Sequence, residues 1–145
     1  MKKLPEKDFK LIYQKVPRVT VDMVIKDSRG ILLIKREIKP DIGKWHLPGG
    51  TVLYKEKVID SLKRVAKEET GLQIRVKKFL SAFEYRKWKE PGYGHIISLV
   101  FLVEPIGGSL KGNARIAGEI LKFFKMLPRD IILDQKKILQ GKLIK

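Results

Sequence analysis

The stretch "VPRVTVDMVIKD" is dense in β-branched residues and ends at the turn signal "DSRG", after which "ILLIKRE" resumes the pattern; together they predict a hairpin of two strands. Further on, "KVIDSLKRVAKEET" places Val58, Ile59, Leu62, Val65 and Ala66 at helical spacing, and a Thr-Gly pair stops it. Between hairpin and helix, "IKPDIGKWHLPGGTVLYKE" carries Pro40, Gly43, Pro48, Gly49 and Gly50, too many breakers for a regular element. Beyond Gly71, "LQIRVKKFLSAFEYRKW" predicts one or two strands, "KEPGYGH" a loop and "IISLVFLVEP" a strand suited to the middle of a sheet. "IGGSLKGNARIAG" reads as another loop. The final "LPRDIILDQKKILQGKLI" has Ile131, Ile132, Ile138, Leu139 and Leu143 at helical spacing, while "MKKLPEKDFK" reads as a polar lead-in. The expectation is a mixed sheet between two helices, in one domain spanning residues 1–145.

One residue breaks the amphipathic pattern of the first helix. With about 100° of rotation per residue, Glu69 falls about 40° from Val65, inside the apolar stripe, and Glu68 lies about 60° to the other side of Val65. A buried carboxylate must be paired, neutral or facing a cation. Two adjacent carboxylates at the border of an apolar face suit a hard divalent ion, and they equally suit pairing with Arg64, Lys67 or a neighbouring strand.

Composition narrows the classes. The chain has 32 Lys plus Arg against 16 Asp plus Glu, a net charge of +16, which favours polyanionic partners such as nucleotides, nucleic acid or an anionic surface. A Lys-rich surface is equally accounted for by solubility or a hot habitat. With no cysteine, disulfides, thiolate metal sites and cysteine nucleophiles are excluded. Two histidines make a His-based metal site a poor fit. The basic start lacks the apolar run of a signal peptide, and no stretch approaches the roughly 20 apolar residues of a membrane span, so a cytoplasmic protein is expected.

The loop and helix also form one pattern: Gly50, five residues, Glu56, seven residues, Arg64, then Ala66, Glu68-Glu69, Thr70, Gly71 and Leu72. This resembles the signature box of the Nudix hydrolases, a Gly, five residues, Glu, seven residues and REUXEEXGU with U apolar, and it departs from it at one fixed letter, Val65. The approach "GKWHLPGG" and the tail "EILKFFKMLPRDIILDQKKIL" are similar to the family as well, so the likeness runs from about Arg18 to Leu139. It implies an α/β/α sandwich around a mixed sheet and hydrolysis of a nucleoside diphosphate linked to another moiety. It implies Mg²⁺ or Mn²⁺ held by Glu68, Glu69 and the carbonyl of Gly49, with Gly50, Glu56, Arg64 and Gly71 supporting the box. It leaves homodimerisation open.

Val65 removes a carboxylate that would share one helical patch with Glu68 and Glu69. Three readings follow. In the first, Glu68, Glu69 and Gly49 hold one metal and a distal residue supplies the base, with Glu119 preferred over Glu84, Glu90 or His95. In the second, the chain is similar to the nucleoside-diphosphate-sugar branch that cuts the sugar carbon–oxygen bond and has an apolar residue at this box position; that branch's Gln-His pair is matched here by Ala117 and Gly118, and it lacks the carboxylate that Glu68 retains. In the third, the protein only binds nucleotide or RNA, which the retained Glu68-Glu69 pair disfavours because carboxylates repel phosphate unless a cation intervenes. For substrate contacts the candidates are Arg36, Trp45, His46 and His95, and "EYRKWK", with Tyr85 and Trp88, reads as a stacking surface or a half-polar edge strand.

Overall fold

The computed structural model describes residues 2–37, 42–85, 94–112 and 120–140. Its elements in chain order are α1 (Glu6–Tyr13), β1 (Arg18–Asp27), β2 (Gly30–Lys35), β3 (Trp45–His46), β4 (Gly49–Thr51), α2 (Val58–Thr70), β5 (Leu72–Glu84), β6 (Ile96–Gly108), β7 (Ile120–Phe124) and α3 (Leu133–Gln140). The expected hairpin is present, with Asp27 opposite Gly30. β1 is the axis of a mixed sheet of order β3-β2-β1-β6-β5, in which β4 also pairs with β1 and β7 with β2. β1 and β6 run parallel, from Arg18 opposite Ile96 to Ile25 opposite Val103.

Alternation along β1 makes the layers. Val21, Met23 and Ile25 point to one face, where Leu62, Val65 and Ala66 of α2 join them with Leu72, Ile74, Phe101 and Val103. Val24 points to the other, with Leu33, Leu47, Leu80, Val100 and the α3-side residues Ile131, Ile138 and Leu139. Both faces of β1 and β2 are therefore buried, and each large side chain removed from water contributes about 1.5–3 kcal/mol. This is the expected sandwich.

Three elements differ from the sequence expectation. The lead-in contains a helix, α1, which buries none of its residues fully; Phe9, Ile12 and Tyr13 recur at i, i+3, i+4, and Glu6 pairs with Lys10 at 3.1 Å. The last helix begins at Leu133, not earlier, because the backbone of 130–132 pairs with Trp45: the Trp45 N–H donates to Asp130 O and the Ile132 N–H to Trp45 O. Leu143 lies outside the described residues. Ile59 is 43% exposed and does not belong to the buried face of α2, whose fifth inward position is Ser61, its hydroxyl donating to the Val58 carbonyl at 2.6 Å.

Helix α2 ends as its sequence demands. Gly71 takes φ 75°, donates to Lys67 O at 3.0 Å, and a Cβ there would meet Ser109 O at 2.3 Å. The Thr70 hydroxyl donates to Ala66 O at 2.6 Å and accepts from Leu72 N at 3.2 Å, so helix and β5 join through a satisfied buried corner.

Candidate active site at the junction of β4 and α2

β4 and α2 touch through glycine. A Cβ on Gly50 would meet Val65 Cγ2 at 2.9 Å, and one on Gly49 would meet Asp22 Oδ1 at 2.1 Å and Val21 O at 2.7 Å. Glycines at these two positions let the strand lie directly between β1 and the helix. Val65 is 1% exposed and belongs to the α2-side core. The departure from the box is thus a packed side chain, seated against the box glycine.

Arg64 braces the intervening loop. Its Nε donates to Glu56 Oε2 at 2.8 Å and one terminal nitrogen to Glu56 Oε1 at 3.0 Å, a two-point fork. It also donates to the Thr51 carbonyl at 2.8 Å and to Glu68 Oε2 at 3.1 Å. Glu56 in turn accepts from Leu53 N at 3.1 Å. The guanidinium holds the Glu56 carboxyl below the usual carboxylate range, and Glu56 raises the Arg64 pKa. This one cluster ties β4, its loop and a carboxylate of α2 together.

Glu68 and Glu69 line a cavity of about 540 Å³ together with Gly49, Gly50, Arg64 and Val65. Its other side is the N-terminal segment, with Lys3, Leu4, Phe9, Ile12 and Tyr13. The Lys3 ammonium donates to Glu68 Oε2 at 3.0 Å. Among the described residues no cluster of three or more His, Asp or Glu side chains forms a ready metal cage. The Glu68 and Glu69 carboxylates carry hard oxygens of the kind that Mg²⁺ and Mn²⁺ take, and Gly49 lines the same cavity.

Other candidates lie elsewhere. Arg36, Trp45, His46 and His95 are not among the described residues lining this cavity. Trp45 packs edge-on against Phe124, ring centroids 4.8 Å apart, in the α3-side core. The His46 Nδ1–H donates to Leu47 O at 2.9 Å, and burial, ahead of the nearby Arg36 charge, lowers its pKa to about 4, so the ring is neutral. His95 is 3.0 Å from Glu84 Oε1 and lines a separate cavity of about 270 Å³ with Phe9, Tyr13 and Arg18. Glu84 therefore does not reach the carboxylate pair's cavity. Glu119, Glu90, Trp88, Ala117 and Gly118 lie outside the described residues.

Sequence reasoning missed a buried polar network behind the site. The Asp22 carboxylate accepts from the Tyr85 hydroxyl at 2.6 Å and from Ser98 Oγ at 2.7 Å. Gln135 Nε2 donates to the Tyr85 oxygen at 2.9 Å, while Gln135 Oε1 accepts from Leu47 N at 2.6 Å. Burial drives the Asp22 pKa up and is the main cause of the raised Tyr85 pKa. Tyr85 is thus an internal strut and not part of a surface stacking array. The signal was a lone Asp in the middle of an apolar strand, directly opposite Gly49 in the β1–β4 pairing.

The molecule is a mixed sheet clasped between helices, with two adjacent carboxylates at a glycine-bearing loop–helix junction. The chain belongs to the Nudix family: the NUDIX domain model matches residues 16–145. It is 40% identical over 129 residues to the ADP-ribose pyrophosphatase of Methanocaldococcus jannaschii, covering 86% of this chain and 72% of that protein. It is 41% identical over 83 residues to the low-salt glycan biosynthesis protein Agl8 of Haloferax volcanii, covering 57% of this chain and 53% of the relative, so the match spans about half of that protein's length. The crystal structure of a MutT NUDIX hydrolase from Burkholderia pseudomallei superposes with a TM-score of 0.71 at 25% identity, over 87% of this chain and 98% of that one.

Proposed function

We propose that this chain hydrolyses a nucleoside diphosphate linked to a second moiety, with ADP-ribose and nucleotide sugars as the first substrates to test. The observation that carries the reading is Glu68 and Glu69 beside Gly49 in one cavity, with Arg64 tying Glu68 to the loop. Glu68, Glu69 and the Gly49 carbonyl would hold Mg²⁺ or Mn²⁺. A bound divalent ion supplies charge neutralisation for the diphosphate and Lewis acidity at a phosphoryl oxygen. The chain's own residues do the rest. Arg64 fixes the Glu68 carboxylate and the Thr51 carbonyl in one frame, Glu56 holds Arg64, and Gly50 and Val65 set the spacing between strand and helix. Glu119 is the proposed base, carried by the segment leading into β7.

Val65 favours a second reading, attack at the sugar carbon and release of free sugar, because the branch that cuts that bond also has an apolar residue here. Retention of Glu68 weighs against it. The M. jannaschii relative's name adds weight to a phosphorus–oxygen cut in ADP-ribose.

Purified protein incubated with ADP-ribose, nucleotide sugars, dinucleoside polyphosphates and nucleoside triphosphates, with Mg²⁺, Mn²⁺ or chelator, distinguishes these readings chromatographically. Metal-dependent release of nucleoside monophosphate is expected, falling at least about 100-fold in Glu69→Gln without loss of fold. Free sugar plus nucleoside diphosphate would establish the second reading, and no turnover on the whole panel would count against hydrolysis.

A further inference from the structure

The N-terminal segment is built onto the site, although the family match begins only at residue 16. Two contacts seat it. Lys3 reaches across the cavity to Glu68 at 3.0 Å. Arg18, at the start of β1, lies 5.1 Å from the centroid of the Phe9 ring and 5.9 Å from that of Tyr13, and donates to Thr51 Oγ1 at 2.9 Å, one residue beyond Gly50. The two rings of α1 are thus fixed, by cation–π contact, to the strand that carries the box glycines. Phe9 and Tyr13 meet edge to face at 4.8 Å.

The carboxylates and the aromatic rings share one cavity of about 540 Å³, a volume suited to a nucleotide. With the diphosphate end at Glu68 and Glu69, the organic end must lie against the remaining wall. On the side of α1 that wall is Leu4, Phe9, Ile12 and Tyr13, four side chains that carry one polar group, the Tyr13 hydroxyl, while Lys2, Lys3, Thr51 and Tyr54 bring polar groups to the cavity elsewhere. A sugar needs several hydrogen-bond partners when it leaves water, whereas a nucleobase presents a flat face that any aromatic ring can cover. We propose that Phe9 and Tyr13 of α1 form the nucleobase subsite, making an element outside the matched domain the determinant of specificity. This rests on the hydrolase reading for the position of the diphosphate.

Calorimetric titration of the whole protein, in buffer containing Mg²⁺, with AMP, UMP and ribose 5-phosphate tests it. Phe9→Ala and Tyr13→Ala are each expected to weaken nucleotide binding about tenfold and to leave ribose 5-phosphate unchanged. Phe9→Tyr, Tyr13→Phe and Leu11→Ala, the last at an exposed position of the same helix, should retain wild-type affinity. Unchanged nucleotide affinity in the alanine variants, equal losses for ribose 5-phosphate, or wild-type protein binding ribose 5-phosphate as tightly as AMP and UMP would each overturn the subsite. The two readings fail separately. Diphosphate turnover without a base-selective loss would remove the subsite and keep hydrolysis, while base-selective binding without turnover would do the reverse.

Discussion

Val65 changes meaning once its surroundings are known. By helical spacing it is a missing ligand beside Glu68 and Glu69; in the fold it is the side chain on which Gly50 rests, with no room for a Cβ between them. Those descriptions are compatible, since the same patch of helix faces both the loop and the cavity. His46 shows the opposite case, a chemically suggestive residue occupied structurally. Its folded pKa of about 4 lies below the 6.5 of an unfolded His, so between those values the unfolded chain binds more protons. Stability should therefore fall as pH drops from about 6.5 toward 4. In His46→Gln that part of the acid slope should vanish, measured as urea-unfolding midpoints at half-unit pH steps; an unchanged slope would place the titration elsewhere.

At the scale of elements, β4 and α2 meet at that glycine–valine contact as well as through the Arg64–Thr51 hydrogen bond. Gly50→Ala should cost about 1–3 kcal/mol by overpacking. Val65→Ala alone should also destabilise, by opening a cavity. Together they should cost less than the sum, because the new methyl occupies space that Val65 vacates. Equilibrium denaturation of the four proteins measures the coupling, and strict additivity would mean that strand and helix reposition independently. The elements carrying the box were legible because periodicity and spacing act locally: α2, its Gly71 stop and the β1–β2 hairpin all follow from short-range chemistry. What was not legible depends on distant partners. α1 is polar in composition and is held by Arg18 and Lys3 contacts that no local pattern encodes, and the start of α3 is set by Trp45, more than 80 positions away. The Asp22 network draws on β1, β6, α3 and the residue that follows β5 at once.

For the whole molecule, a net charge of +16 accompanies a cavity lined by the carboxylates of Glu68 and Glu69. The long-range field draws in an anion that the site itself would repel without a cation. Association with a diphosphate substrate should accordingly weaken as salt screens that field: kcat/KM is expected to fall several-fold between about 0.05 and 0.5 M KCl, with kcat little changed. A salt-independent kcat/KM would show that local contacts alone govern capture. Among the described residues, no helix is long and apolar enough to cross a membrane.

The parallel pairing of β1 with β6 has a consequence for the order in which the molecule assembles. β1 can close its hairpin with β2 at once, but its other edge waits for Ile96–Val103, the better part of the chain later. A growing polypeptide therefore carries an apolar strand with one open flank while residues 28–95 are added, and closing so long a loop makes that step slow. The basic residues along β1, Lys15 before it, Arg18 at its start and Lys26 near its end, put like charges on every copy of that flank. Mutual repulsion between unfinished chains would thus be a second service of the cationic surface, rendered before any substrate could bind.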